Sequence, residues 1–205
     1  MGFYGDSVFP RLMNAMMDNK ETRRIRADVC AALKGEVVEI GFGSGLNLPH
    51  LPRSVTCLKA VEPRVKGRQL AHPRLAASHL EVEFVGLDGE RLPLGDRSVD
   101  SALSTWTLCS IPDPVAAVRE IRRVLRPGGM LHFVEHGRSP DPKVHRMQRR
   151  MSGVHHRLAC GCSLTADIPA IVRSGGMSVQ NLETYYAKGR PKHQGWTFQG
   201  VATPD

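Results

Sequence analysis

The stretch Glu39-Ile40-Gly41-Phe42-Gly43-Ser44-Gly45 is the clearest ligand-holding signal in this chain of 205 residues. Its glycines let the backbone come close to a bound group and take up positive φ. Glu39, two residues ahead of the first glycine, suits a cationic amine and would repel a pyrophosphate. Glu62 stands 21 residues after Gly41, where a carboxylate can accept both hydroxyls of a ribose. Asp88, in Gly86-Leu87-Asp88-Gly89-Glu90, is placed to accept from the exocyclic amine of an adenine. Together these residues describe an adenosine-bearing ligand. A dinucleotide loop requires G-x-G-x-x-G, and Leu46 stands where its last glycine belongs. Glu62 serves NAD as well as any other adenosine ligand, so an NAD-dependent oxidoreductase stays as an alternative.

The elements that must position these groups alternate. Glu21 to Lys34 reads as a helix with Ile25, Val29, Ala32 and Leu33 on one face. Strands are expected at 37–40, 55–61, 80–85, 98–104 and 130–135. A helix should follow the glycine loop, and helical residues 64–78 should break near His72-Pro73. Asp113-Pro114 caps a further helix with Ala117, Val118, Ile121, Val124 and Leu125 inward, and Arg126-Pro127-Gly128-Gly129 stops it. Residues 142–158 form a basic helix with Val144, Met147, Met151, Val154 and Leu158 facing inward. Thr165 caps a short helix ending at Gly175-Gly176, and 177–186 and 195–202 pair as an antiparallel hairpin. The fold class is therefore α/β, a doubly wound, Rossmann-like and mostly parallel sheet with an antiparallel end.

In such a sheet the chemistry lies past the carboxyl ends of the strands. That selects Thr105, Trp106, Thr107, Cys109, Glu135 and His136. Asp100 lies at the other end and reads as structural, Trp106 as a pocket wall and Cys109 as a small buried hydrophobe. His136 is the candidate catalytic group. An imidazole with an unperturbed pKa of about 6.5 can take a proton from a thiol of pKa about 8.5. His145, His155, His156, Cys160 and Cys162 crowd one segment, but one Cys-x-Cys without a second pair lacks zinc-site spacing. No metal is expected.

Composition sets outer bounds. With 41% hydrophobic and 23% charged residues the chain is an ordinary globular one. No apolar run is long enough for a transmembrane helix, and no signal peptide is evident. Five scattered cysteines argue against a disulfide framework, so a cytoplasmic location is expected. The net charge of +8 could draw an anionic partner. With 5% aromatic residues no nucleic-acid partner is expected, although a nucleic-acid-binding or modifying protein is a third reading. Arg146, Arg149, Arg150 and Arg157 favour either solvent or weak peripheral contact with an anionic lipid surface. Nothing in the sequence sets an oligomeric state.

The motifs occur in a telling order: Glu39 to Gly45, then Val61-Glu62-Pro63, Asp88-Gly-Glu-Arg-Leu-Pro-Leu, Ser98-Val-Asp and Val124-Leu-Arg-Pro-Gly-Gly. Over 36–135 the chain resembles the class I S-adenosylmethionine-dependent methyltransferases, in their small-molecule group. Leu108-Cys-Ser-Ile, Phe133-Val-Glu-His and Gly161-Cys-Ser-Leu-Thr further resemble the methyltransferase-like seven thiol methyltransferases and their bacterial relatives. The resemblance implies a seven-stranded sheet with its last strand antiparallel. It also implies S-adenosylmethionine as cofactor, S-adenosylhomocysteine as product, and a small-molecule methyl acceptor, a thiol ahead of a quinone, phenol or amine. Carried over by position, Gly41, Gly43 and Gly45 pass the methionine part near Glu39. Glu62 holds the ribose, Asp88 with Gly89 reads adenine, and Thr105 lines the sulfonium end. Asn47 and Pro63 join the cofactor set. One domain results: a helical lid over 1–35 containing Tyr4 and Phe9, a cofactor core over 36–136, an acceptor-site helical insertion over 137–176 and a strand pair over 177–205.

Overall fold

Consecutive valines at the start of the first strand show how the layers are organised. Val37 belongs to one buried core and Val38 to the other, as the two-residue period of a strand covered on both faces requires. The computed structural model describes residues 4–86 and 88–205. Seven strands, β1 (Gly35–Ile40), β2 (Val55–Val61), β3 (Glu81–Gly86), β4 (Val99–Thr105), β5 (Leu125–His136), β6 (Met177–Tyr186) and β7 (Trp196–Pro204), form one sheet. The order is β3-β2-β1-β4-β5-β7-β6. β1 to β5 pair in parallel, and β7 runs antiparallel between β5 and β6. The doubly wound fold with an antiparallel end is as expected.

On one face α2 (Lys20–Cys30) and α3 (Val65–Ala77) place Ile25, Val29 and Ala71 over Val37, Leu58 and Leu103. On the other, α4 (Pro114–Val124) and α6 (Ile168–Ser174) bring Val118, Ile121 and Val172 against Val38, Ala102 and Phe133. β1 lies between β2 and β4, so the strand order reverses there and a crevice opens at the strand tips. A π-helical turn (Tyr4–Val8) and α1 (Phe9–Met16) lie before α2, and their side chains reach that crevice. Met1 to Phe3 of the expected lid, and Leu87, lie outside the described residues.

Several local expectations are corrected. No α-helix follows the glycine loop; a single 3-10 turn, Leu48–His50, spans the gap to β2. Pro49 and Pro52 withhold the N–H groups a helix there would use. α2 ends at Cys30 and leaves Ala32 exposed. α3 runs unbroken through Pro73, whose exposed position lets water meet the carbonyl it leaves unpaired. Leu125 already pairs with Val99 as the first residue of β5. Asp167, not Thr165, caps α6 by accepting the Ala170 N–H.

The largest correction concerns α5 (Pro142–Leu158). Met147, Met151, Val154 and Leu158 are exposed, at 51%, 37%, 64% and 59%. The helix is held through a polar side chain instead. Gln148 is buried, accepts the Ser139 N–H at 3.0 Å and donates to the Gly137 and His193 carbonyls. A helix lying at the rim of the sheet, not on its face, has no core to receive its apolar stripe.

Candidate active site

The glycine loop begins where β1 ends. Gly41, Gly43 and Gly45 all have positive φ. At Gly41 a Cβ would collide with the Thr107 side chain, so the loop packs against the β4 tip only as glycine. At Gly43 the nearest atom a Cβ would meet is 3.9 Å away, which marks open space beside the chain. Gly45 faces Leu48 and Phe42 and serves packing. The Gly43 N–H donates to Glu62 Oε2 at 2.7 Å, and the Arg64 N–H to Glu62 Oε1 at 2.8 Å. The Glu62 carboxylate is thereby fixed at the β2 tip. Burial raises its pKa above the ordinary range, against these two bonds.

Behind the loop lies a buried polar cluster. Asn47 Nδ2 donates to Glu39 Oε1 at 2.7 Å and to Thr105 Oγ1 at 3.0 Å. Arg26 donates to Asn47 Oδ1 and, at 3.1 Å, to Thr105 Oγ1, and its guanidinium lies 4.9 Å from the Trp106 ring centre. Glu39 Oε2 has no partner among the described residues. Desolvation pushes Glu39 up to about 8 and Arg26 down to about 10. Asp88 accepts the Glu90 N–H at 2.8 Å, an Asx turn in the loop after β3.

At the other end Glu135, fully buried at the end of β5, accepts from Ser104 Oγ at 2.7 Å. It also accepts the N–H groups of Thr107, Leu108 and Cys109 at 3.0, 3.1 and 3.3 Å. One carboxylate therefore shapes the loop that follows β4. Trp106, at the turn, has φ of 52°, a sparsely populated conformation for a bulky residue. Cys109 Sγ lies 3.5 Å from Cys162 Sγ, which lies 3.7 Å from His136 Nδ1. The Cys109 contact, with His136 and His155 beside it, lowers the Cys162 thiol below its ordinary range and raises that of Cys109.

A single cavity of about 1270 Å³ joins the two ends, larger than a site for one small ligand, about 300–1,000 Å³. Gly41, Gly43, Glu62, Pro63, Asp88, Gly89, Thr105 and His136, all expected site residues, line it. Glu39, Gly45 and Asn47 do not; they stand behind its wall. Tyr4 and Phe9 line it as well. Glu135, a candidate reacting group by sequence, holds the loop and is not on the wall. Asp100 pairs with Arg126 at 2.7 Å at the opposite end of β4. Sequence reasoning missed Arg26, although its spacing to Cys30 and Leu33 follows the buried stripe of α2.

Comparison with known proteins decides the family. A model described as a methyltransferase domain matches residues 38–133. Human thiol S-methyltransferase TMT1B is 33% identical over 177 residues, covering 78% of this chain and 71% of that protein. The chain belongs to the class I S-adenosylmethionine-dependent methyltransferases. Phosphatidylethanolamine N-methyltransferase of Cereibacter sphaeroides is 30% identical over 127 residues, 58% of this chain and 59% of its own length. Part of each relative's length thus has no counterpart in the match. The fold agrees with a solved methyltransferase from Thermotoga maritima, with a TM-score of 0.70, 21% identity and coverage of 98% and 99% of the two chains. This methyltransferase is an enzyme using S-adenosylmethionine, and the oxidoreductase alternative falls. Among the described residues no helix is long and apolar enough to cross a membrane.

Proposed function

We propose that this methyltransferase transfers the methyl group to a small-molecule thiol. The observation that carries the reading is the single cavity, whose cofactor end is polar and hydrogen-bonded and whose far end presents Cys109, Cys162 and His136. The human relative's name as a thiol S-methyltransferase supports the same acceptor. When bound, S-adenosylmethionine supplies a methyl group already activated on a sulfonium. What the chain must do is align, exclude water and manage the acceptor's proton.

The residues present fit the cofactor. Glu62 keeps lone pairs beyond its two backbone bonds for ribose hydroxyls, and a Cβ on Gly67 would come within 3.0 Å of the Gly43 carbonyl at the same place. Asp88 and Gly89 flank the adenine position. Gly43 leaves open space for the methionine part. Asn47 holds Glu39 through Oε1, and the Oε2 left without a partner among the described residues suits an ammonium; Arg26 and Thr105 suit the adjoining carboxylate. Tyr4 Oη donates to the Leu158 carbonyl at 2.8 Å, so the N-terminal segment and α5 close one side and act as the lid. His136 stands at the acceptor end as the group that takes the thiol proton.

The test is a methyl-transfer assay with thiols, quinones, phenols and amines side by side, read by mass detection. S-methyl products formed in step with S-adenosylhomocysteine are the expected result. Methylation of a quinone or an amine with no thiol converted refutes the thiol assignment.

A further inference from the structure

Cys109, His136 and Cys162 come from three segments, yet one ligand atom of each lies within 4.8 Å of the others. The sulfur–sulfur edge is 3.5 Å and the edge from Cys162 Sγ to His136 Nδ1 is 3.7 Å. A tetrahedral zinc, with bonds of about 2.3 Å to sulfur and about 2.0–2.1 Å to nitrogen, sets these edges at about 3.8 Å and about 3.6 Å. The Cys162–His136 edge stands at its spacing, the sulfur–sulfur edge is slightly short of it, and the Cys109–His136 edge closes within 4.8 Å. Two sulfurs and an imidazole select zinc over magnesium or calcium. Three protein ligands also match the catalytic kind of zinc site, which keeps its fourth position for a ligand. A second observation lies on the same cavity wall: His155 Nε2 is buried with no partner among the described residues.

We propose that Cys109, His136 and Cys162 bind a zinc ion whose fourth position takes the acceptor thiol as thiolate. The inference rests on the thiol reading above and changes His136 from base to ligand. On binding, the acceptor's S–H bond breaks, its sulfur lone pair forms the zinc–sulfur bond in place of a bound water, and the proton leaves to bulk water. Nothing is oxidised or reduced. Two thiolates and a neutral imidazole cancel the charge of the ion, so the bound acceptor leaves the site with one negative charge, complementary to a cationic methyl donor.

The test uses the reduced, chelator-stripped protein titrated with cobalt(II) alone. One equivalent should bind, with thiolate-to-cobalt charge-transfer absorption and the visible bands of four-coordinate cobalt. Cys162→Ser and His136→Ala should each weaken binding by about tenfold or more, while Cys57→Ser, on β2, should match the parent. Retained S-adenosylhomocysteine binding shows that each variant is folded. Adding 2-mercaptoethanol to the cobalt protein should shift the visible bands, and adding an amine should not. A parent protein that binds no cobalt, or a Cys109→Ser/Cys162→Ser variant that binds it as tightly, overturns the site. The thiol reading survives that result if the metal-free protein still methylates thiols. Cobalt held by these residues with no thiol shift and no thiol methylated overturns the acceptor role and the thiol reading together, and leaves only the ion.

Discussion

The two ends of the cavity are built by opposite strategies. At the end proposed to hold the cofactor the candidate groups sit at successive strand tips, within a few residues of the motif that announces them: Gly41 and Gly43 after β1, Glu62 after β2, Asp88 after β3. At the acceptor end Cys109, His136 and Cys162 come from three separate segments, and Cys109 is placed by a carboxylate, Glu135, that follows it by 26 residues. A local end can be read from sequence, because each of its candidate groups lies inside one short motif at one strand tip. An assembled end cannot, because its meaning lies in distances between segments.

The first way to break this contrast is at the glycine loop, where the largest effect is expected. A valine at 43 has room in the free protein, since nothing lies within 3.9 Å of its Cβ position, but its φ of 59° suits glycine. The strain should cost about 1–3 kcal/mol of stability. S-adenosylhomocysteine binding should vanish in calorimetry while cooperative unfolding persists. Normal binding by Gly43→Val would move the cofactor elsewhere.

Glu135→Ala strikes the assembled end. It strands buried donors on Ser104, Leu108 and Cys109, each costing about 1–3 kcal/mol when unpaired. Thermal unfolding should shift down by several degrees, and methyl transfer should fall by at least an order of magnitude as Cys109 loses its position. S-adenosylhomocysteine affinity should hold within a few-fold. A parallel loss of cofactor affinity would mean that the two ends are one unit. Glu62→Ala is the mirror experiment. Loss of one charge-assisted bond of about 1.5–3 kcal/mol should raise the dissociation constant of S-adenosylhomocysteine about tenfold or more, and cobalt binding should be untouched.

The same contrast explains what was legible. The sheet, its antiparallel end and most strand limits follow from β-branched runs and turn residues. β2 and β6 occupy the ranges expected from sequence. The α5 stripe misled because helical periodicity shows that a face is apolar, not what covers it. Gln148, a polar residue, turned out to be the inward anchor. Arg26 was missed because a charged residue in a basic helix reads as solvent-facing unless its partners, Asn47 and Thr105, are already in view. Cys109, His136 and Cys162 were each noticed, but their spacing along the chain says nothing of the proximity that the fold creates among them.

The smallest effect is the most diagnostic of the cofactor end. Glu39 is pushed up to about 8 from 4.5 because it is wholly desolvated. Between those values the folded carboxyl holds a proton that the unfolded chain has released. Stability therefore falls as pH rises from about 4.5 to about 8, by at most about 1.4 kcal/mol per pH unit, and no further above it. Glu39→Gln removes this slope, so urea midpoints at pH 5.5 and 7.5 should differ less in the variant than in the parent. The cofactor adds the second half of the test. An ammonium beside the orphaned Oε2 would favour the ionised carboxyl, so binding S-adenosylhomocysteine near neutral pH should release a proton. Calorimetric enthalpies should then depend on buffer ionisation in the parent, and less so in Glu39→Gln. A parent enthalpy that is the same in phosphate and in Tris would mean that Glu39 braces Asn47 and Arg26 from behind the wall and never meets the ligand.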